Sequence, residues 1–148
     1  MWFSKKAVSE IPGVNTANNS NTRQPTKSVG DAAEAMALEY LRNAGLIFQE
    51  ANYRTPGRGG GEIDLIMKDA DGTLVFIEVR QRTSQSHGGA GASISAVKQK
   101  RIVFAARHYL MRFKTLPPCR FDVVLIQGRV DIGTTPATEW LRSAFDAF

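Results

Sequence analysis

Residues 61–82 read GEIDLIMKDADGTLVFIEVRQR: two strand-like runs on either side of a turn, with acids where a buried strand would not carry them. In the first run Ile63, Leu65 and Met67 alternate with Glu62, Asp64 and Ile66. In the second, Val75, Ile77 and Val79 alternate with Phe76, Glu78, Arg80 and Arg82. Period two sends alternate residues to opposite faces of a strand, so Glu62 shares a face with Asp64, and Glu78 with Arg80 and Arg82. The turn Asp69-Ala-Asp-Gly72 carries an Asp-Gly hairpin signal. Pairing of the two runs as a hairpin brings Asp64 beside Glu78. Two carboxylates in an otherwise apolar sheet repel each other and lose hydration, and a hard divalent cation, magnesium or manganese, relieves both costs. The plain alternative is a sheet with one wet face.

The rest of the chain narrows the choice. Its 148 residues, 43% of them hydrophobic, suffice for one domain with a core. No apolar run is long enough to span a bilayer, and Lys5 and Lys6 are not followed by the apolar stretch of a secretory signal. The single cysteine, Cys119, excludes an internal disulfide and fits a reducing, cytoplasmic setting. With two histidines it cannot build a closed zinc site without carboxylates. The net charge is +5, and its distribution is more telling. Between Glu78 and Asp122 there is no acid, only Arg80, Arg82, Lys98, Lys100, Arg101, Arg107, Arg112, Lys114 and Arg120. So long a one-signed run points to a polyanionic partner, nucleic acid before all others.

Residues 1–27 are rich in Asn, Ser and Thr and read as a disordered tail, leaving 28–148 as the domain. A first helix is predicted over Ser28–Ala44, capped by Ser28, with Ala33, Ala37, Tyr40, Leu41 and Ala44 as its apolar stripe and Gly45 as its end. Glu34 falls on or beside that stripe, where a carboxylate needs a partner. Leu46–Arg54 reads as a strand, broken by Pro56 and the run Gly57–Gly61, a loop open to a phosphate backbone. Residues 83–93 read as a linker, and His87 within it is a weak candidate for catalysis. A second helix is predicted over Ser95–Phe113, with Ile102, Ala106, Tyr109 and Phe113 buried, Val103 and Leu110 beside them, and Lys98, Arg101, Ala105, His108 and Arg112 as a basic edge. Cys119–Gln127 is apolar on both faces from Val123 to Ile126 and belongs inside a layered sheet. Arg129–Ile132 reads as a short strand. Residues 137–148, with Trp140, Leu141, Ala144 and Phe145, read as a short helix or docked tail.

Several of these stretches carry a family resemblance: the first helix with Glu34 and Tyr40-Leu41, Asn52-Tyr53-Arg54, Gly61–Ile66, Val75–Val79, Lys98 with Lys100-Arg101, Arg120–Val123, and Trp140 with Ala144-Phe145. Over residues 28–148 the chain resembles the YraN family of predicted endonucleases. These belong to the restriction-endonuclease-like superfamily, with the signature PD-(D/E)xK, and are related to archaeal Holliday-junction resolvases. The resemblance implies a three-layer α/β/α fold with a central mixed sheet of four to five strands, in the order αβββαβ. It implies metal-binding acids at Asp64 and Glu78 with the Val79 carbonyl, and a helix-borne acid at Glu34. Arg80 stands where the signature has lysine. Arginine keeps its proton at any working pH, so it cannot act as a general base, though it can neutralise phosphate charge. The PD dipeptide is absent, with Ile63 before Asp64.

What the resemblance implies, then, is a magnesium- or manganese-dependent endonuclease acting on DNA, with RNA left open, selective for branched, flap or single-stranded structure and leaving a 5′-phosphate. Glu34, Asp64, Glu78 and Arg80 form the catalytic set, with Arg82, Lys98, Lys100 and Arg101 on flanking phosphates. The resolvase relatives are dimers, so a homodimer is a further expectation, although no apolar stripe stands plainly free for one. The rival is a binding module that keeps the fold without cutting. A protein-interaction domain is the third class, and the basic run argues against it.

Overall fold

The strand that carries Glu78 is the middle of the sheet. In the computed structural model, which describes residues 27–82, 94–128 and 135–147, the elements follow in the order α1 (Lys27–Asn43), β1 (Ile47–Arg54), β2 (Glu62–Lys68), β3 (Leu74–Arg82), α2 (Ala96–Leu110), β4 (Cys119–Gln127) and β5 (Ala137–Phe145). One five-stranded sheet takes them in sequence order, β1-β2-β3-β4-β5. Among the described residues only the β3–β4 pair is parallel, with Leu74 opposite Cys119 through Arg82 opposite Gln127. A parallel pair needs a crossover, and α2 lies in it. The mixed α/β fold expected from sequence is therefore observed, with five strands in the sheet, the fifth formed by the stretch expected as a short helix or docked tail.

The sheet separates two apolar layers. Ala33, Ala37 and Leu41 of α1 pack with Leu65, Met67, Val75, Ile77, Val124 and Ile126. Ile102, Ala105, Ala106, Tyr109 and Leu110 of α2 pack on the other face with Ile66, Phe76, Phe121, Val123 and Leu125. Both faces of β3 and β4 are thus covered, which is why their sequences are nearly continuous in apolar residues. Tyr40 and Ala44, expected in the α1 stripe, are exposed, as is Phe113 just beyond α2. Ser28 lies within α1, not at its cap, whereas Ser95 caps α2 by accepting the Lys98 N–H at 3.2 Å. Among the described residues no helix is long and apolar enough to cross a membrane. The expected tail at 1–27, all but its last residue, together with His87 and its linker and the short strand at Arg129–Ile132, lies outside the described residues.

The C-terminal stretch corrects the sequence reading. It is strand β5, antiparallel to β4, with Trp140 opposite Val124 and Leu141 opposite Val123. Leu141 and Phe145 pack toward α2, and Trp140 toward α1. A spacing of four satisfies a strand's period of two as well as a helix's 3.6, so the pattern alone did not separate them. The open edge of β4 decides in favour of a strand.

Candidate active site

The acids sit where β2 and β3 stop pairing. The ladder runs from Lys68–Leu74 to Leu65–Ile77. At the next rung the Asp64 carboxylate enters the gap and accepts the Val79 N–H at 2.8 Å. The period-two reading breaks here. Ile63 packs in the same layer as Ile66, three residues on, and Asn52 on β1 adopts φ +52°. Glu62 and Asp64 therefore do not simply share a face: Glu62 turns to Arg54, 3.2 Å away at the surface.

Asp64 and Glu78 are brought together as expected. Glu78 is 8% exposed and faces α2, where Lys98 Nζ lies 3.3 Å from its Oε1. Its Oε2 is buried with no hydrogen-bond partner. Burial, with the Asp64 charge beside it and only part of the cost offset by Lys98, pushes the Glu78 carboxyl up to about 8. Burial also raises Asp64, against the opposing pull of the Val79 N–H, the Glu78 carboxyl and Lys98. Glu34 is raised by its own burial and then by Asp64, while a hydrogen bond with Asn52 holds it down. It lines a cleft of about 380 Å³ with Asp31, Leu38, Asn52 and Leu65. The three acids thus feel one another electrostatically, but only Asp64 and Glu78 are in contact. Among the described residues no three His, Cys, Asp or Glu side chains converge tightly enough to hold an ion unaided. Arg80 and Arg82 follow on β3, half-buried, each with an interaction of its own.

The predicted basic edge of α2 is exposed at Arg101, His108 and Arg112 and half-buried at Lys98, yet it also reaches back to the sheet. It is the seam by which the helix joins β1, β3 and the loop between β1 and β2. Lys98 meets Glu78, and an Arg101 guanidinium N–H lies 3.5 Å from the Gly60 carbonyl. Ala105 is fully buried. His108 bonds the Tyr53 hydroxyl, and Arg112 stacks on Tyr109 with its guanidinium 3.8 Å from the ring centre. At the crossing, a Cβ on Gly61 would stand 2.0 Å from the Arg101 carbonyl oxygen and 2.8 Å from the Ala105 nitrogen. Only glycine fits. The loop before it is closed by Thr55, whose hydroxyl accepts the Gly61 N–H at 2.7 Å. Beside it lies a polar cleft of about 260 Å³ lined by Arg54, Gly57, Gly59, Glu62 and Arg101. Lys100 is exposed on the outer side of α2.

The sequence places Lys98 in the site but not on the acids, and does not single out Asn52. Lys98 was expected on a flanking phosphate, but it stands on the acid pair itself. Asn52 lies in the stretch Asn52-Tyr53-Arg54 that carries the resemblance, and an asparagine in a strand next to a Gly-rich loop is a signal for a left-handed residue.

Comparison with other proteins agrees with the resemblance. The family described as "Uncharacterised protein family UPF0102" matches residues 33–126. A UPF0102 protein of Polaromonas naphthalenivorans is 62% identical over 152 residues, covering 99% of both chains. Another from Polaromonas sp. strain JS666 is 60% identical with the same coverage. One from Paracidovorax citrulli is 61% identical over 82% of this chain and 85% of its own. The chain belongs to the UPF0102 family.

Proposed function

We propose that the chain is a metal-dependent endonuclease that hydrolyses phosphodiester bonds in DNA. The observation that carries this reading is the Asp64–Glu78 pair at the fork of β2 and β3, Glu78 buried and Asp64 half-buried, short of hydrogen bonds and of compensating charge. The donor set suits a divalent cation: hard carboxylate oxygens, one of them without a partner, and two acids that cannot both ionise unaided. Asp64, Glu78 and the Val79 carbonyl would hold it, and Glu34 would add charge from the α1 side. Two carboxylates with water and a substrate phosphate completing the shell is a magnesium arrangement, so a three-acid cage is not required. When bound, the ion supplies an activated water and polarises the phosphate.

The protein's own groups do the rest. Lys98 places a cation at Glu78, where charge builds on a phosphate during attack, and a fixed cation there is worth most in a water-poor setting. Arg80 carries a permanent charge and adds to that field without moving a proton. Arg82, Lys100 and Arg101 would hold flanking phosphates, contacts that position a backbone without reading sequence. Selection is then by nucleic-acid structure.

The test is cleavage of labelled single-stranded, duplex, flap and four-way-junction DNA with magnesium or manganese, alongside chelator, Asp64→Ala and Glu78→Ala. Cutting lost in all three controls is the expected result. Binding without cutting, unchanged in both variants, would overturn it in favour of a binding module.

A further inference from the structure

The side of α2 away from the sheet carries a second apolar stripe. Val97, Phe104 and Met111 recur every seven residues and are 70%, 55% and 80% exposed. Residues three and four apart are neighbours on a helix surface. Those around Phe104 are Lys100, Arg101, Arg107 and His108, all exposed. An exposed ring is thus ringed by three permanent cations and an imidazole, on a helix without a single acid. Apolar contact and positive charge together describe a surface for stacked bases joined by phosphates. The ridge lies near the acid pair: Lys98 on Glu78 and Phe104 are six residues apart, about 9 Å along the helix and about a third of a turn around it.

We infer that Phe104 is a stacking platform for an unpaired base of the substrate strand, with Val97 and Met111 extending the ridge and the surrounding cations holding its phosphates. This rests on the reading of nucleic acid as substrate and specifies its class: a strand with exposed bases, as in single-stranded or splayed DNA. Duplex DNA hides its base faces and offers only phosphates to this surface. A second copy of the chain is a poorer occupant, because two such faces would bring their cations together.

The test is fluorescence anisotropy of the full chain in chelator, so that no cutting enters. The probes are an oligothymidine strand, the same strand with abasic sites, and a duplex. For oligothymidine, Phe104→Ala is expected to weaken binding about tenfold, and Phe104→Trp to restore it. Duplex and abasic binding should stay within about twofold, since they engage only charge. Equal oligothymidine affinity for wild type and Phe104→Ala would overturn the inference. So would an equal loss on all three probes, a Phe104-dependent dimer by sedimentation, or Phe104-dependent binding to phosphatidylglycerol vesicles without discrimination among the DNAs. Failure of the hydrolase reading is separable: it appears as absence of cutting in magnesium while Phe104-dependent binding persists.

Discussion

Two buried acids lie one rung apart on opposite faces of the same strand pair, and the protein treats them in opposite ways. Asp122, opposite Ile77, is 1% exposed and fully answered. It accepts from Trp140 Nε1 at 2.9 Å, from the Ser143 N–H at 2.9 Å and from Arg120 at 3.1 Å. Arg120 also reaches Asp69 at 2.7 Å, joined there by Arg142. Glu78, opposite Val123, has Lys98 on one oxygen, nothing on the other, and Asp64 beside it. A carboxylate given several donors has its hydrogen bonds satisfied and serves as a structural anchor. One left short of donors is held protonated and is ready for an ion.

The contrast is sharpest in variants. Asp122→Ala strands the Trp140 and Ser143 donors and half of Arg120, and should cost about 3–5 kcal/mol, or about 10 °C in melting temperature. Glu78→Gln should do the reverse. DNA cleavage should fall by at least about a hundredfold, while the melting temperature in chelator at pH 8 should rise. Loss of stability on removing Glu78 would erase the distinction.

A pH series sharpens it further. Glu78 holds its proton more tightly folded than unfolded, from its usual 4.5 up to about 8. Its contribution to stability is therefore full below about pH 4.5 and is lost as pH rises through 8. Metal-free wild type should fall behind Glu78→Gln in melting temperature across that window. Magnesium at pH 8 should raise the wild type and leave the variant unmoved. At the small end, Arg142→Gln removes a surface pair with Asp69, the arginine being 57% exposed, and should cost under about 0.5 kcal/mol by chemical denaturation.

The acid pair was legible because hairpin geometry is local. Asp64 and Glu78 each stand seven positions from Asp71, the centre of the loop 69–73 that joins Lys68 to its partner Leu74, so the hairpin brings them abreast. The strands Ile47–Arg54 and Cys119–Gln127 were legible for similar reasons: each is a run of consistent pattern between breakers. Lys98 was not, because its meeting with Glu78 depends on how α2 crosses the sheet, and that is fixed by Gly61 against Arg101 and Ala105. The same crossing turned a basic edge into a seam and left Phe104 outside. Asp122 read as one more strand residue, since its partners Trp140 and Ser143 come from a strand whose spacing imitates a helix.

The parallel β3–β4 pair also sets an order of assembly. α1, β1, β2 and β3 form from residues 27–82 by short connections, whereas β4 must arrive after the whole of α2. On a growing chain, the strands that carry Asp64 and Glu78 thus emerge before Lys98 and β4. For that interval β3 presents a bare edge and two uncompensated acids. Any strand laid on that edge must bury Glu78, and in the finished fold it is Lys98 that answers it.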